Sequence, residues 1–190
     1  MASSAKQMTA KHKKNGIYMP VIITRTIAVN IINVGNNIKN VLHKIITDEL
    51  EGKCCNEGYV KPNSLQILTY SSGMIQGNNI HYEVVFECDV CNPVEGMVMN
   101  CIANNITKAG IRGEIDEAVS PLVIFIARDH REIDEYFNSI KVNDKILIKV
   151  IGQRYELNDK YISVIADLLP PIISKTNPSV QRKKIKLIVE

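Results

Sequence analysis

Five short β-type segments with turn signals between them follow Pro93, and this pattern constrains the fold more than any other feature of the sequence. Short runs rich in Ile and Val, separated by turn-forming residues, are typical of small all-β domains. An acidic stretch at 129–140, between the third and fourth segments, is expected to form a short helix or an ordered loop. Five antiparallel strands with an insertion after the third predict a five-stranded OB-fold β-barrel. The segments are 94–102, 108–115, 122–126, 145–152 and 161–169.

A helical pattern precedes this region. Apolar residues recur at spacings of three and four, which predicts one amphipathic helix; they are Ile38, Val41, Leu42, Ile45, Ile46 and Leu50. Asn36 and Asn37 offer an N-cap, and Gly52 lies just past the end, where a C-cap glycine is favoured. Strand-like residues 17–32 come before the helix, and 58–60, 65–70 and 80–88 follow it, with a loop at 54–63 and a turn at 73–79. The first half is therefore predicted to be a strand, a helix and a three-strand antiparallel run, which makes the chain α+β.

The chain is predicted to divide into four parts. Residues 1–15 are expected to be a disordered basic tail, 16–92 an N-terminal domain, 93–171 the OB-fold domain and 172–190 a basic C-terminal tail, because Pro170 and Pro171 end the last strand. The first residues lack the apolar core of a secretory signal, and no apolar run reaches the roughly 18 residues that a membrane span needs. We therefore expect no membrane partner.

The net charge of +3 hides an uneven distribution. Residues 1–15 carry four lysines and no acid, and residues 175–190 carry five basic residues and one acid, so the body from 16 to 174 is at −5. A protein that mainly grips phosphates normally has a basic body. The two ends are either solvated tails or weak, salt-sensitive contacts to nucleic acid. The charge therefore predicts weak, sequence-independent binding of single-stranded RNA, with a salt dependence that comes largely from the ends.

The five cysteines indicate free thiols in a reducing compartment, because their number is odd. Cys88 and Cys91 form a lone C-x-x-C motif, whereas a structural zinc site usually needs two such pairs. Cys54 and Cys55 are adjacent, which is the wrong spacing for a second pair. A redox role would place the motif at the start of a helix, but here it ends a strand-like run. We therefore predict no metal and no cofactor, with metal binding and redox chemistry as the less favoured alternatives.

Three motifs, in this order and spacing, resemble one protein family. Glu49-Leu-Glu-Gly52 is followed by Gly58-Tyr-Val60, similar to the family's E-V-E-G and G-Y-I. Tyr82-Glu-Val-Val-Phe86 runs into Val94-Glu-Gly-Met-Val98, similar to Y-x-A-V-V-F, a short linker and G-x-V-V. Lys108-Ala-Gly-Ile111 stands where the family has an N-K-x-G-F hairpin. From about Thr26 to Leu169 the chain resembles the stalk subunit of multisubunit DNA-directed RNA polymerases, the seventh subunit of eukaryotic RNA polymerase II and the archaeal E subunit. The sequence of residues 151–160 resembles the versions from large DNA viruses more than the cellular ones.

The resemblance implies a non-catalytic subunit whose N-terminal tip domain docks to the large polymerase core subunits at the base of the clamp. The OB-fold domain would then lie near the RNA exit path. The implied docking residues are Leu50, Glu51, Gly52, Gly58 and Tyr59. In this family the subunit commonly pairs with a smaller stalk partner at the seam between its domains.

Nascent single-stranded RNA is the other implied partner. The family hairpin usually carries an aromatic or large residue around its glycine, whereas Ala109 and Ile111 flank Gly110 here. We therefore expect a weak RNA site without a stacking platform. Its candidate contacts, each of which could equally be a solvated surface residue, are Lys108, Arg112, Arg128, His130, Lys149, Arg154 and Tyr155.

Two other functions compete with the polymerase subunit. A free-standing OB-fold protein of translation or RNA decay has no need of a docking domain and would be more basic. An enzyme is the least supported, because the sequence has no Ser/His/Asp order, no H-E-x-x-H and no Walker loop. The predicted localisation is intracellular with the transcription machinery: the nucleus, or the cytoplasm or virion for a viral protein.

Overall fold

The structure is a computed structural model that describes residues 16–117, 120–128 and 135–170. The terminal segments predicted to be tails, and residues 129–134 of the acidic stretch, lie outside these ranges. The strands are β1 (Tyr18–Asn30), β2 (Cys54–Cys55), β3 (Gly58–Val60), β4 (Gln66–Tyr70), β5 (Met74–Gln76), β6 (Asn79–Cys91), β7 (Val98–Ile106), β8 (Gly110–Glu114), β9 (Leu122–Ala127), β10 (Lys145–Arg154) and β11 (Ile162–Leu168). The helices are α1 (Ile38–Leu50) and α2 (Glu135–Ser139), with a 3-10 turn at Ile31–Asn33.

Strand β6 is the centre of an open antiparallel sheet. We call this sheet and helix α1 together the sheet unit. On one side β6 pairs with β1 along all thirteen residues of both strands, from Tyr18 with Cys91 to Asn30 with Asn79. On its other side β6 pairs in turn with β3, β4 and β5, and β2 adds to β3. At about 3.3 Å per residue, the β1–β6 ladder is about 40 Å long. It separates two ends of the unit that are chemically different.

Helix α1 covers one face of this sheet because its apolar stripe needs a partner surface. Leu42, Ile46 and Leu50 are buried against the sheet. The helix ends as predicted, with Gly52 in the left-handed region at φ 72°. Asn37 is the N-cap residue, as predicted, although its side chain makes no capping hydrogen bond.

Strands β7 to β11 form a closed barrel in the order β7-β8-β9-β11-β10, with β10 returning to β7. All neighbours are antiparallel except β9 and β11, which are parallel. The prediction of a five-stranded barrel after Pro93 is thus confirmed, but the expectation that all its strands are antiparallel is wrong for the β9–β11 pair. The predicted loop at 54–63 and turn at 73–79 contain the strands β2 and β5, which sequence analysis missed because two or three residues are too few to show alternation.

The barrel core extends into the sheet unit. Cys54, Tyr59 and Cys91 belong to the sheet strands, but their side chains are buried in the same cluster as the barrel interior. The remaining sheet residues form a second core under α1. The contact zone between the sheet unit and the barrel, which we call the seam, is therefore a packed core. No helix in the described ranges is long and apolar enough to span a membrane.

Candidate nucleic-acid interface and docking surfaces

An exposed aromatic ring, Phe125, lies on the outer surface of the barrel beside Arg112. Buried Ile124 and Ile126 flank Phe125 on β9, so its side chain points outward and is 42% exposed. The strand register pairs it with Arg112 on β8. A Cβ atom on Gly110 would lie 3.2 Å from Phe125 Cζ and 2.3 Å from the Ile126 carbonyl oxygen, so only glycine fits beneath the end of the ring. The hairpin around Gly110 has no aromatic residue of its own, but an exposed ring from the neighbouring strand lies beside it.

Two predicted RNA contacts, Lys108 and Arg128, lie at the end of β8 and β9 that is nearest the β7–β8 turn. Lys108 is exposed in that turn, and the Arg128 backbone N–H donates to the Ala109 carbonyl oxygen at 3.1 Å. The Arg128 guanidinium donates to Asn138 Oδ1 at 2.9 Å and lies 4.8 Å from the ring centre of Phe137. These contacts with α2 hold Arg128 in one place on the barrel surface.

Arg112 is the most centrally placed cation on this surface. Its guanidinium lies 3.8 Å from the Glu114 carboxylate, and both side chains are well exposed, so the pair is weak. We call the surface of Lys108, Gly110, Arg112, Phe125 and Arg128 the β8–β9 face. Its cations outnumber Glu114 three to one, although the whole barrel region carries more acidic than basic residues. His130, which was also predicted to contact RNA, lies outside the described residues.

Lys149 lies on the other side of the barrel. It is an exposed residue of β10, directly opposite Val98 on β7 and Asp167 on β11. A shallow pocket of about 350 Å³ is lined by Lys149, Asp167 and Glu95, among others. The two carboxylates make this pocket acidic. Because β10 borders neither β8 nor β9 in the barrel, the structure does not bring Lys149 together with the β8–β9 face.

Tyr155 lies at the seam, and Arg154 precedes it as the last residue of β10. The Tyr155 hydroxyl donates to the Asn56 carbonyl oxygen at 3.3 Å, and its ring packs against the shared core. Burial raises the pKa of Tyr155 above its ordinary value. Arg154 is highly exposed and lies 3.5 Å from Glu156. Tyr155 is therefore engaged within the protein, and Arg154 is distant in the strand order from Arg112.

The first three predicted docking residues form the end of α1 and the loop after it. Leu50 is buried in the sheet core. The Glu51 carboxylate accepts backbone hydrogen bonds from Asn63 at 2.9 Å and Leu65 at 3.1 Å. Gly52 donates its N–H to the Val60 carbonyl oxygen at 2.9 Å. These contacts hold the loop in position, and a docking role for the segment stays a prediction.

The other two predicted docking residues, Gly58 and Tyr59, lie inside the seam. Tyr59 is 2% exposed, and a Cβ on Gly58 would lie 2.5 Å from the Cys91 carbonyl oxygen. Next to them, the Cys54 N–H donates to the Asp159 carbonyl oxygen at 2.7 Å, and the Asn158 N–H donates back to Cys54 at 2.9 Å. The buried Tyr59 ring and the backbone hydrogen bonds of Cys54 thus join the sheet unit to the barrel.

The end of the sheet unit away from the barrel exposes large apolar side chains that sequence analysis did not single out. Ile31, Ile32, Met74 and Ile75 are between 49% and 87% exposed. They are brought together because the β5–β6 hairpin ends beside β1, where the Ile31 N–H donates to Asn78 at 3.1 Å. We call these four residues the apolar end. A signal was available in the sequence, since 28–37 and 70–80 contain no Asp, Glu, Lys or Arg.

The cysteines of the C-x-x-C motif point to opposite faces of β6. Cys88 lies in the sheet core under α1, whereas Cys91 lies in the shared barrel core. Residues three apart on a strand face opposite sides, so the two sulfurs cannot hold one metal ion together. Burial raises the pKa of Cys88 to about 11 and that of Cys91 to about 12, so both are protonated thiols at neutral pH. In the part of the chain that the structure describes, no three His, Cys, Asp or Glu side chains group as metal ligands.

Comparison with known proteins finds similarity to a viral protein. No protein-family model matches the chain. An alignment 150 positions long, covering 70% of this chain and 72% of the relative, shows 28% identity to a protein of Acanthamoeba polyphaga mimivirus named "Putative DNA-directed RNA polymerase subunit L376". A stretch of that length includes parts of both the sheet unit and the barrel. The chain is thus similar to a viral RNA polymerase subunit, and the resemblance inferred from its motifs is confirmed at that level.

Proposed function

We propose that this protein is a non-catalytic stalk subunit of a multisubunit DNA-directed RNA polymerase. The observation that carries the proposal is the similarity to the mimivirus protein over most of both chains. The order of a strand-helix-sheet unit and a five-stranded barrel, which we interpret as an OB fold, agrees with the stalk-subunit resemblance. In that family the subunit supplies no catalytic group, and it works by position within the transcription machinery.

The apolar end is the surface that docks on the large polymerase subunits. Exposed apolar patches mark protein contacts, and this one has no charged residue in the two segments that form it. The residues first assigned to docking are less suitable for direct contact, because Leu50 and Tyr59 are buried. Docking at the apolar end would leave the barrel about 40 Å away along the β1–β6 ladder, free to approach emerging RNA.

The packed seam supports a stalk that moves as one piece. Hydrogen bonds link Cys54 with Asn158 and Asp159, and the Gln153 amide donates to Asn92 Oδ1 at 2.7 Å. Buried side chains from both units fill the space between these links. A barrel on a flexible linker would sample many positions, whereas this one is held at a fixed place relative to the docking surface.

Copurification from the native source tests the proposal. A tagged full-length chain should recover the two large polymerase subunits, identified by mass spectrometry. The double variant Ile32→Asp with Met74→Asp should recover at least about tenfold less, because each carboxylate would have to be buried in an apolar contact. The control is Leu157→Asp, which changes another exposed apolar residue, in the connection between β10 and β11, and should recover wild-type amounts.

Two results would contradict the proposal in different ways. If the double variant recovers wild-type amounts, docking uses another surface, and the loop at Gly52 is the next candidate. If the wild-type chain recovers no large subunits, the polymerase assignment itself is wrong, and the free-standing RNA-binding protein becomes the better reading.

A further inference from the structure

We propose that Phe125 is a base-stacking residue for single-stranded RNA, with Arg112 beside it as a phosphate contact. This inference rests on the proposed function, because it names the ligand chemistry of the barrel that the stalk would hold near emerging RNA. It replaces the expectation of a barrel without a stacking platform.

The position of the ring has a structural explanation that is incomplete. An aromatic side chain that covers a glycine on the neighbouring strand protects a weak point of a sheet. Phe125 does reach Gly110 in this way, since its Cζ atom lies 3.2 Å from where a Cβ would be. Covering Gly110 nevertheless leaves Phe125 42% exposed, as a large ring among other exposed apolar residues of the barrel strands such as Val98 and Ile165.

The surroundings of the ring fit a nucleic acid. Arg112 lies directly across from Phe125, and Lys108 and Arg128 flank the glycine end of the face. On the neighbouring strand β11, the residue paired with Phe125 is the exposed Ile165, which adds an apolar border without a charge. A ring bordered by cations offers a base its aromatic surface and offers the adjoining phosphates their counter-charges. Such a site binds unpaired bases with little sequence preference, because every base has a π-face.

The proposal predicts that stacking and charge contribute separately to binding. Loss of the ring should lower affinity at every salt concentration without changing the slope of affinity against salt, because the ring neutralises no phosphate. Loss of Arg112 should lower the slope. A ring that merely supports the fold would change neither quantity in a folded variant.

The experiment measures binding of a fluorescein-labelled oligouridine of about twelve nucleotides to the full-length chain across a salt series. Phe125→Leu should weaken binding by roughly fivefold or more at each salt concentration, with an unchanged slope. Phe125→Tyr keeps the ring and should stay within about twofold of wild type. Tyr161→Leu removes an exposed aromatic ring from a different part of the barrel and should also stay near wild type. Urea unfolding confirms that each variant is folded.

Three outcomes would overturn the proposal. Phe125→Leu could bind as wild type does, or its salt slope could fall together with its affinity. Alternatively, it could keep its RNA affinity and lose the large polymerase subunits in copurification, which would make the ring a protein contact. Because the RNA measurement contains no polymerase, a failed docking experiment and a failed stacking experiment are distinguishable.

Discussion

The apolar end of the sheet unit and the β8–β9 face of the barrel expose different chemistry. The apolar end has four exposed apolar side chains in two segments without a charged residue. The β8–β9 face has one exposed ring among three cations. An uncharged apolar surface suits a large protein partner, whereas an aromatic ring with cations suits unpaired bases and phosphates. Under the proposed function, the apolar end attaches the protein to the polymerase and the β8–β9 face meets RNA.

This division of roles depends on the seam, because the two surfaces act together only if the units keep a fixed arrangement. Gly58 is the most sensitive position there. Its φ of 130° is unfavourable for other residues, and an added Cβ would lie 2.5 Å from the Cys91 carbonyl oxygen. Gly58→Ala should therefore lower the free energy of unfolding by about 4 kcal/mol, through backbone strain and a displaced seam strand.

Gly52→Ala is the matched control for this prediction. Gly52 also has a positive φ, of 72°, but the nearest atom to its added Cβ is Pro62 Cγ at 3.8 Å. The cost should be only about 1 kcal/mol, which reflects the left-handed conformation alone. Urea unfolding measures both variants, and equal losses would show that the close approach at the seam contributes nothing.

The buried thiols provide a second, smaller contrast, between neutral and alkaline pH. Burial raises the pKa of Cys101 in the barrel from 9.0 to about 12. Below pH 9 the Cys101 thiol is neutral in both the folded and the unfolded chain, so its full contribution to the free energy of unfolding is present there. Above pH 9 the unfolded chain loses the proton first, and stability falls as the pH rises towards 12. At pH 10.5 the loss from this one thiol should be about 2 kcal/mol relative to pH 8.

The variant Cys101→Ala tests this assignment. It should be less stable than wild type at pH 8 because of the space it leaves, but its further loss between pH 8 and pH 10.5 should be smaller by about 2 kcal/mol. Urea midpoints at the two pH values give the comparison. Parallel losses in the variant and the wild type would mean that the Cys101 thiol does not cause the alkaline instability.

The smallest expected effect separates the two sides of the barrel. Arg112→Ala should weaken oligouridine binding by roughly threefold at low salt and reduce the salt slope by about 1, because one phosphate contact is lost. Lys149→Ala should change affinity by less than about twofold, since Asp167 and Glu95 lie beside that lysine. Filter binding across a salt series compares them. A larger effect at Lys149 would place the RNA on the β10 side and break the assignment of the β8–β9 face.

Local patterns in the sequence predicted much of the fold. The three-and-four spacing from Ile38 to Leu50 predicted α1 with its bounds, and Ile- and Val-rich runs between turn signals predicted the barrel strands within a few residues. These elements are predictable because their periodicity reflects which side chains must leave water. Alternation along β9 places Phe125 outward between Ile124 and Ile126, so the sequence alone could have predicted an exposed ring here.

The candidate sites depended more on tertiary structure than the elements did. Lys108, Arg112, Lys149 and Tyr155 look alike in the sequence, as polar residues on barrel segments, but the strand order β7-β8-β9-β11-β10 decides which of them share a surface. In this order Lys108 lies near Arg112, Lys149 lies in an acidic pocket, and Tyr155 is partly buried at the seam. Positions in the sequence do not show which residues share a surface, because a barrel joins strands that are far apart in the chain.

By itself, the sequence determined the five barrel strands, the helix α1, the charge distribution and the resemblance to polymerase stalk subunits. Only the tertiary structure decided that Tyr59 and Cys91 complete the barrel core, that Cys88 and Cys91 point to different cores, and that Ile31, Ile32, Met74 and Ile75 lie at one end of the sheet unit. The physical reason is the range of the interactions. Periodicity and propensity act between residues a few positions apart, whereas shared cores and surfaces arise from pairing between distant strands, which is fixed by the packing of the whole chain.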